Sequence, residues 1–508
     1  MKLIEAWDKR DQWGKDYAIP HYDRGAIKAE TLKAPQWLHF GAGNIFRAFM
    51  AAAMDTLLEK GLSDRGIIVC EDFDKELVHR AYEPYDSLSL LVTLKADGTV
   101  DKRVIGSVVE AVTETDRMQT LFCEPSVQMV SFTITEKGYA GPLMRKIAEF
   151  CLKRYEQGAH PLALVSMDNC ARNGEVLYEG IMKEALALVE EGRAEKGFIY
   201  YLCDRSRVTF PWTAIDKITP RPDALVKELL KKDGFEDTEQ IITARHTYTA
   251  PFVNAEETEY LVIEEAFPNG RPPLEQAGIL FAPRETVDRF EKMKVGTCLN
   301  PLHTALAVFG CLLGYSIIHE EMQDPELRRL VWGLGYEEGL PVATHPGIMA
   351  PEAFLKDVLT KRLPNPFMPD SPQRIATDTS QKIPVRFGQT LKAYMESPTL
   401  DIRQLVYIPL VLAGWLRYLT GFNDRGEPFT LSPDPRLEEL TALLQGIQPG
   451  RKPIDEKGVD TLLHMSDIFV VDLFSCGLAE KVKAMFNEML TDPGAVRRTL
   501  TKYCGERI

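Results

Sequence analysis

The stretch Lys294-Val295-Gly296-Thr297-Cys298-Leu299-Asn300-Pro301-Leu302-His303 sets an amine, a carboxamide and an imidazole close together in the chain. Asn300 and His303 are three residues apart, so on a helix they share one face. Such a set offers a base, a hydrogen-bond donor and an orienting group. Removing hydride from an alcohol carbon becomes easier as the hydroxyl loses its proton, and an amide N–H stabilises the developing alkoxide. A lysine serves as that base near neutral pH only where burial or nearby cations lower its pKa. By itself, a lysine is usually a solvated charge and a histidine a satisfied hydrogen-bonding partner.

A second group of residues suits a dinucleotide. The apolar run Gln36 to Phe40 enters Gly41-Ala42-Gly43, and a helical pattern follows from Phe46 to Glu59. Gly41 and Gly43 stand where a backbone would approach a pyrophosphate, with the next helix N-terminus supplying free N–H groups. Phe46 occupies the position of the usual third glycine, which leaves a plain tight turn as the alternative. The next buried strand, Gly66 to Cys70, ends in Glu71 and Asp72. An acid there accepts hydrogen bonds from the adenosine ribose and repels a 2′-phosphate, which favours NAD over NADP. Glu71 lies 30 residues after Gly41, against roughly 20 in compact examples, and a longer first helix absorbs the difference. Ser166-Met167-Asp168-Asn169 follows another buried strand, so Asn169 either faces a ligand at the strand's carboxyl end or caps a helix.

These residues need a scaffold, and the pattern supplies two. The opening βαβ unit implies a parallel sheet, which the runs Ser89 to Leu94, Val104 to Val109, Val127 to Thr133 and Leu162 to Ser166 are expected to extend, with helices such as Pro142 to Gln157 between them. From about Val295 long apolar-periodic stretches dominate: Leu302 to Tyr315, Pro325 to Glu338, Leu405 to Leu419 and Arg436 to Leu444. The expected organisation is an α/β domain over 1–294 and a mainly helical domain over 295–508. At 508 residues the chain needs two cores, since single cores stop growing near 250 to 300 residues. Phe267 to Pro273, rich in Pro and Gly, marks a turn.

Composition narrows the partners. Lys and Arg total 60 against 74 Asp and Glu, a formal charge of -14 that repels nucleic acid and anionic lipid at long range. A local cationic pocket can still capture a small anion inside such a protein. The nine cysteines are scattered, with no zinc-site spacing, and suggest reduced thiols and no metal. The charged N-terminus and the absence of a run of about 18 uncharged apolar residues point to a cytoplasmic protein, a monomer or small homo-oligomer.

The whole arrangement resembles the mannitol dehydrogenase family, the polyol-specific long-chain dehydrogenases. The resemblance rests on Tyr22-Asp23-Arg24, HFGAGNIFRAF (39–49), SFTITEKGY (131–139), SMDNCARNG (166–174), FPWTAIDKITP (210–220), GRPPLEQAG (270–278), LNPLHTALA (299–307) and RIATDTSQK (374–382), all in family order. It implies an expanded Rossmann domain followed by a helical domain, with cofactor and substrate meeting in the cleft between them. It also implies NAD contacts from Gly41, Gly43, Asn44, Ile45, Phe46, Arg47, Glu71 and Asp72.

By the same resemblance Lys294 is the general base, Asn169 and Asn300 hold the reacting oxygen, and His303 orients the substrate, without a metal. Arg374, Lys382, Asp216 and Glu136 match positions near the substrate, and Arg374 could grip a carboxylate by two parallel hydrogen bonds. One departure stands out. Lys294 precedes Asn300 by six residues, one more than the family spacing, and Val295 fills the expected place. One extra residue turns a side chain by about 100° on a regular helix, so a bulge or non-helical lead-in is required, with Lys292 as the substitute base. The segment Tyr418 to Pro435 resembles the hexuronate-reducing members of the family, which act on fructuronate, more than its mannitol enzymes. Tagaturonate or a neutral polyol is the alternative substrate. A non-catalytic sugar-acid or dinucleotide sensor on the same fold is the alternative of another class, and the retained Asn169, Asn300 and His303 argue against it.

Overall fold

A computed structural model describes residues 1–451 and 456–505. The chain divides into two compact units, Met1–Asp288 and Arg289–Ile508. The first is built on six strands, numbered here in chain order: β1 (Trp37–Phe40), β2 (Ile67–Cys70), β3 (Val108–Val112), β4 (Met129–Phe132), β5 (Leu162–Ser166) and β6 (Val208–Thr209). All pair in parallel, in the order 3-2-1-4-5-6 of the doubly wound dinucleotide fold. Trp37 to Phe40 lie in register with Ile67 to Cys70 on one side and Met129 to Phe132 on the other.

The sequence of these strands explains why helices cover both faces. Every residue of β1, β2, β4 and β5 is buried, so alternate side chains must enter two different cores. Trp37, Ile67, Val69, Met129 and Ala163 join one, with Phe49 to Leu57 packed on them. Leu38, Phe40, Ile68, Val130, Phe132 and Leu164 join the other. That second core is closed by Met144, Ile147 and Phe150 of α2 (Pro142–Glu156) and by Leu177, Ile181 and Leu188 of α3 (Asn173–Glu190). Helix α1 (Ala51–Glu59) follows the first strand. Each such side chain contributes about 1.5 to 3 kcal/mol on burial.

The single sheet expected from the sequence is corrected. Ser89–Leu94 pairs with Val100–Ile105 and Phe252–Glu256 in a separate sheet, which Tyr17–Ala18 completes. The run Val104 to Val109 is therefore two strands, broken at Gly106-Ser107. A side chain at 106 would lie 2.4 Å from the ring of Trp7, so only glycine lets the chain step there from one sheet to the other. A burial pattern does not tell which sheet a strand joins, since five of the six residues of Ser89–Leu94 are buried, nearly as in a central parallel strand. Further small sheets are formed by Thr213–Asp216, Tyr260–Glu264 and Leu280–Ala282, and by the hairpin Ile241–Ile242 with Tyr248–Thr249.

The second unit is helical. Helix α4 (Arg284–Met293) runs into a π-helical turn, Lys294–Cys298, and then α5 (Asn300–Leu313). Helix α6 (Pro325–Trp332), N-capped by the Asp324 side chain, continues as a π-helical segment, Gly333–Gly339. Every residue of α7 (Tyr407–Leu419) is buried. It packs on α5 where Gly414 meets the Phe309 ring, 2.8 Å from where a Cβ would stand. The stretch Arg284–Leu313 is long and apolar enough to cross a membrane by composition, but 72% of its apolar window is buried in the fold, as in a core helix.

Candidate active site

In the first unit the turn after β1 is shaped by two glycines with different tasks. Gly41 has φ +109, and a Cβ there would sit 2.5 Å from the Thr133 carbonyl oxygen, so strand packing requires glycine. A Cβ on Gly43 would meet nothing within 4 Å. That open side of the turn is a cradle into which a pyrophosphate fits against the backbone. Beneath the turn, His39 stacks on Phe46 with ring centroids 4.2 Å apart, and its Nδ1 and Nε2 lie 2.6 Å from Ser131 Oγ and 2.9 Å from Thr133 Oγ1. Burial holds His39 down at about 3, a neutral ring.

Several residues assigned to the cofactor from sequence turn their side chains elsewhere. Phe46 and Arg47 are fully buried in a π-helical turn, Phe46–Met50. Arg47 donates to the Ala250 carbonyl at 2.8 Å, Asn44 Oδ1 at 2.9 Å and Thr249 Oγ1 at 2.5 Å, while Asn44 Nδ2 donates to the Tyr248 carbonyl at 3.0 Å. Ile45 is partly buried against the apolar core. Glu71 is also drawn inward. Its Oε2 accepts from Ala42 N at 2.8 Å and its Oε1 from Phe73 N and Asp74 N at 2.9 Å each. Burial raises its carboxyl above the ordinary range, against the pull of those three N–H groups. Asp72 instead remains partly exposed and pairs with Lys146 of α2.

Asn169 is exposed just beyond β5. It does not cap α3, which starts at Asn173 after Arg172 at φ +52. The loop around it is held by its neighbour Asp168, whose Oδ1 accepts from Cys170 N at 2.9 Å and whose Oδ2 accepts from Ser166 Oγ at 2.9 Å and from the Tyr139 hydroxyl. Asn173 Nδ2 braces the same loop from below, donating to the Asp168 carbonyl at 3.0 Å and Thr213 Oγ1 at 2.8 Å. Glu136 is exposed at the start of the short turn Glu136–Ala140, and Asp216 is buried at the end of strand Thr213–Asp216.

In the second unit the six-residue interval from Lys294 to Asn300 spans a π-helical turn. Lys294 opens the π-helical turn, and the Leu299 N–H reaches back five residues to the Lys294 carbonyl at 3.1 Å. A π turn takes up one residue more than an α turn. Leu299, at φ -129 and ψ -64, then breaks the helix so that α5 restarts at Asn300 with Pro301 in its first turn. Lys294 is buried, its Nζ 2.9 Å from Glu291 Oε2, whereas Lys292 is exposed. Asn300 and His303 occupy the first turn of α5.

Around His303 the fold gathers cations. Its Nε2 is 3.9 Å from Asp370 Oδ2, and Asp370 also accepts from Arg374. Burial brings His303 down to about 4; Asp370 opposes this, while Arg362, Arg386 and Arg374 add to it. Lys382 donates to the Ile375 carbonyl at 3.0 Å and to that of Thr377, and burial with Arg386 and Arg374 nearby lowers it to about 8. Arg386, lowered to about 10 by burial, donates to the Asn300 carbonyl at 3.3 Å and Thr304 Oγ1 at 2.6 Å. Asp370, Arg362 and Arg386 were missed from sequence. The available signal was spacing, since Lys382 and Arg386 are four apart and so share a helix face, whereas Asp370 lies just before the short helix that carries Arg374. Among the described residues no group of three or more His, Cys, Asp or Glu is arranged to hold a metal, and all nine cysteines are free thiols.

A parallel sheet in dinucleotide-fold order followed by a helical unit with a buried lysine, an asparagine and a histidine defines a class, the two-domain dehydrogenases. Residues 35–276 match the mannitol dehydrogenase Rossmann domain and residues 286–490 the mannitol dehydrogenase C-terminal domain. The chain belongs to the mannitol dehydrogenase family and is an oxidoreductase acting on CH–OH groups. It is 48% identical to a D-mannonate oxidoreductase of Thermotoga maritima over 96% of this chain and 95% of that one. It is 30% identical to a mannitol 2-dehydrogenase of Neosartorya fischeri, over 96% and 95%. The fold is that of a D-sorbitol dehydrogenase crystal structure, with a TM-score of 0.80, 23% identity, and coverage of 97% of this chain and 99% of that one. The Pseudomonas fluorescens mannitol 2-dehydrogenase, solved with NAD and D-mannitol, gives 0.67 at 23% identity over 99% of each chain.

Proposed function

We propose that this chain interconverts D-fructuronate and D-mannonate with NAD as the hydride carrier and no metal. The observation that carries this reading is the 48% identity, over nearly the full length, with the Thermotoga maritima D-mannonate oxidoreductase. The cations around His303 support it, because Arg374 and Arg386 lie close enough to Lys382 and His303 to lower the proton affinity of both, and a sugar-acid carboxylate relieves that repulsion. The open face of Gly43 and the surface acid Asp72 after β2 suit NAD, which is also the cofactor in the Pseudomonas fluorescens relative's structure.

When bound, NAD supplies or accepts the hydride. The chain's own residues do the rest: Lys294 takes the hydroxyl proton in the oxidative direction, Asn169 and Asn300 donate to the reacting oxygen, and His303, neutral at physiological pH, orients the substrate. Arg374 and Lys382 hold the carboxylate, and Asp216 and Glu136 stand as further substrate-side positions. The test is NADH absorbance with fructuronate, tagaturonate, fructose and fructose 6-phosphate added in turn. Fructuronate is expected to give the highest kcat/KM. A higher value for tagaturonate or fructose reassigns the substrate, and turnover of none favours a sensor. Activity should survive exhaustive chelation, and a loss reversed by zinc would overturn the metal-free mechanism.

A further inference from the structure

The cofactor reading above leaves open what holds the adenine end, and the loop after β2 supplies an answer. Glu71 cannot serve the ribose, because both its oxygens are engaged by backbone N–H groups and the residue is only 6% exposed. Asp72 is the acid at the surface, with Lys146 on one of its oxygens. Adenine is joined directly to the ribose, so its ring must lie within one sugar's length of the acid that holds the diol. The next residue, Phe73, is 70% exposed, and the Arg245 guanidinium lies 4.8 Å from its ring centroid.

That pairing is built rather than incidental. Arg245 sits at the tip of the hairpin formed by Ile241–Ile242 and Tyr248–Thr249. The buried Asp74 carboxylate, immediately after Phe73, accepts from Thr243 Oγ1 at 2.6 Å and Thr247 Oγ1 at 2.5 Å, and Glu76 Oε2 accepts from Ala244 N at 2.8 Å. The far side of the same hairpin is tied to the helix that follows the glycine turn, through Asn44 and Arg47. The hairpin thus clamps the glycine turn and the ribose loop together and carries its one stacked cation to the exposed phenyl ring.

We infer that Phe73 and Arg245 form the platform for the adenine of the cofactor, beside Asp72 at the ribose. This rests on the dinucleotide reading of the unit. An aromatic face and a guanidinium plane both stack on a purine without needing to recognise its edge.

The test is calorimetric titration of the full chain with NADH, ADP-ribose and reduced nicotinamide mononucleotide. Phe73→Ala is expected to weaken NADH and ADP-ribose by about five- to 150-fold, the range for loss of one base stack, and to leave the mononucleotide unchanged. Arg245→Ala should give a smaller loss with the same selectivity, and Phe73→Trp should retain affinity. Unchanged ADP-ribose affinity in Phe73→Ala overturns the platform, as does an equal loss for the mononucleotide. If the unmodified protein binds neither NADH nor ADP-ribose, the cofactor reading itself falls.

Discussion

Two of the π-helical turns, Phe46–Met50 in the first unit and Lys294–Cys298 in the second, do opposite things. Phe46–Met50 buries all five of its side chains, so the site beside it is left to glycines and backbone N–H groups. Lys294–Cys298 uses its extra residue to set a buried lysine ahead of Asn300 and His303. A backbone site announces itself by the residues it requires, because only glycine tolerates φ +109 at position 41. A side-chain cluster such as His303 with Asp370, Arg374 and Arg386 is fixed by helix packing, which local sequence does not record.

The comparison breaks most sharply at Lys294. If the π turn presents the base, Lys294→Ala lowers kcat by about 10² to 10⁴ while NADH affinity, a property of the other unit, stays within twofold of normal, roughly the scatter expected when no contact is lost. Lys292→Ala should stay near normal turnover. The reverse pattern would mean that the turn does not compensate the spacing.

Arg386 comes next, because its two hydrogen bonds hold the Asn300 carbonyl and Thr304. Arg386→Gln should cost about ten- to a hundredfold in kcat/KM, the range for unsatisfied buried partners. It should also move the acid limb of the pH profile upward, since one of the cations holding His303 near 4 is gone, with Asp370 left opposite and Arg362 and Arg374 still beside it. A loss of activity with an unmoved profile would reduce Arg386 to a purely structural role.

Much of this was legible in the sequence and the remainder was not, for reasons that differ by residue. The glycine turn, the acids after β2 and the helical second half follow from periodicity and from the few residues that special backbone positions tolerate. The assignment of Glu71 to the ribose misses because two adjacent acids look alike in sequence, and only the fold decides which one turns in toward Ala42. Strand Ser89–Leu94 is misplaced from sequence because five of its six residues are buried, much as in a central parallel strand, and burial does not say which sheet it joins. The π turn that opens at Lys294 was not legible, because a period of 3.6 residues is the wrong ruler for it.

Asp72 tests the first unit's side of the comparison. Asp72→Asn removes the charge that repels a 2′-phosphate and frees Lys146 to meet one. The NADH to NADPH preference in binding should fall by about tenfold, the size of one charge-assisted contact. An unchanged ratio would assign cofactor discrimination elsewhere.

The smallest effect concerns stability, and here the units oppose each other. His39 in the first unit is held near 3, below its ordinary value of 6.5. The unfolded chain therefore binds the extra proton, and His39's contribution is present above pH 6.5 and lost as pH falls toward 3. Glu321 in the second unit is fully buried beside Gly310 of α5, neither carboxyl oxygen has a hydrogen-bond partner within the protein, and burial raises it to about 10 from 4.5. The folded state keeps that proton while the unfolded state releases it, so its contribution is present below pH 4.5 and lost progressively as pH rises toward 10. Glu321→Gln keeps the shape and removes the titration. It should therefore raise the Tm at pH 8 by about 2 to 8 °C, the equivalent of about 1 to 2 kcal/mol in a unit of this size, and change it little at pH 4.5. A gain of equal size at both pH values would mean that packing, and not the buried proton, distinguishes Gln from Glu at this position.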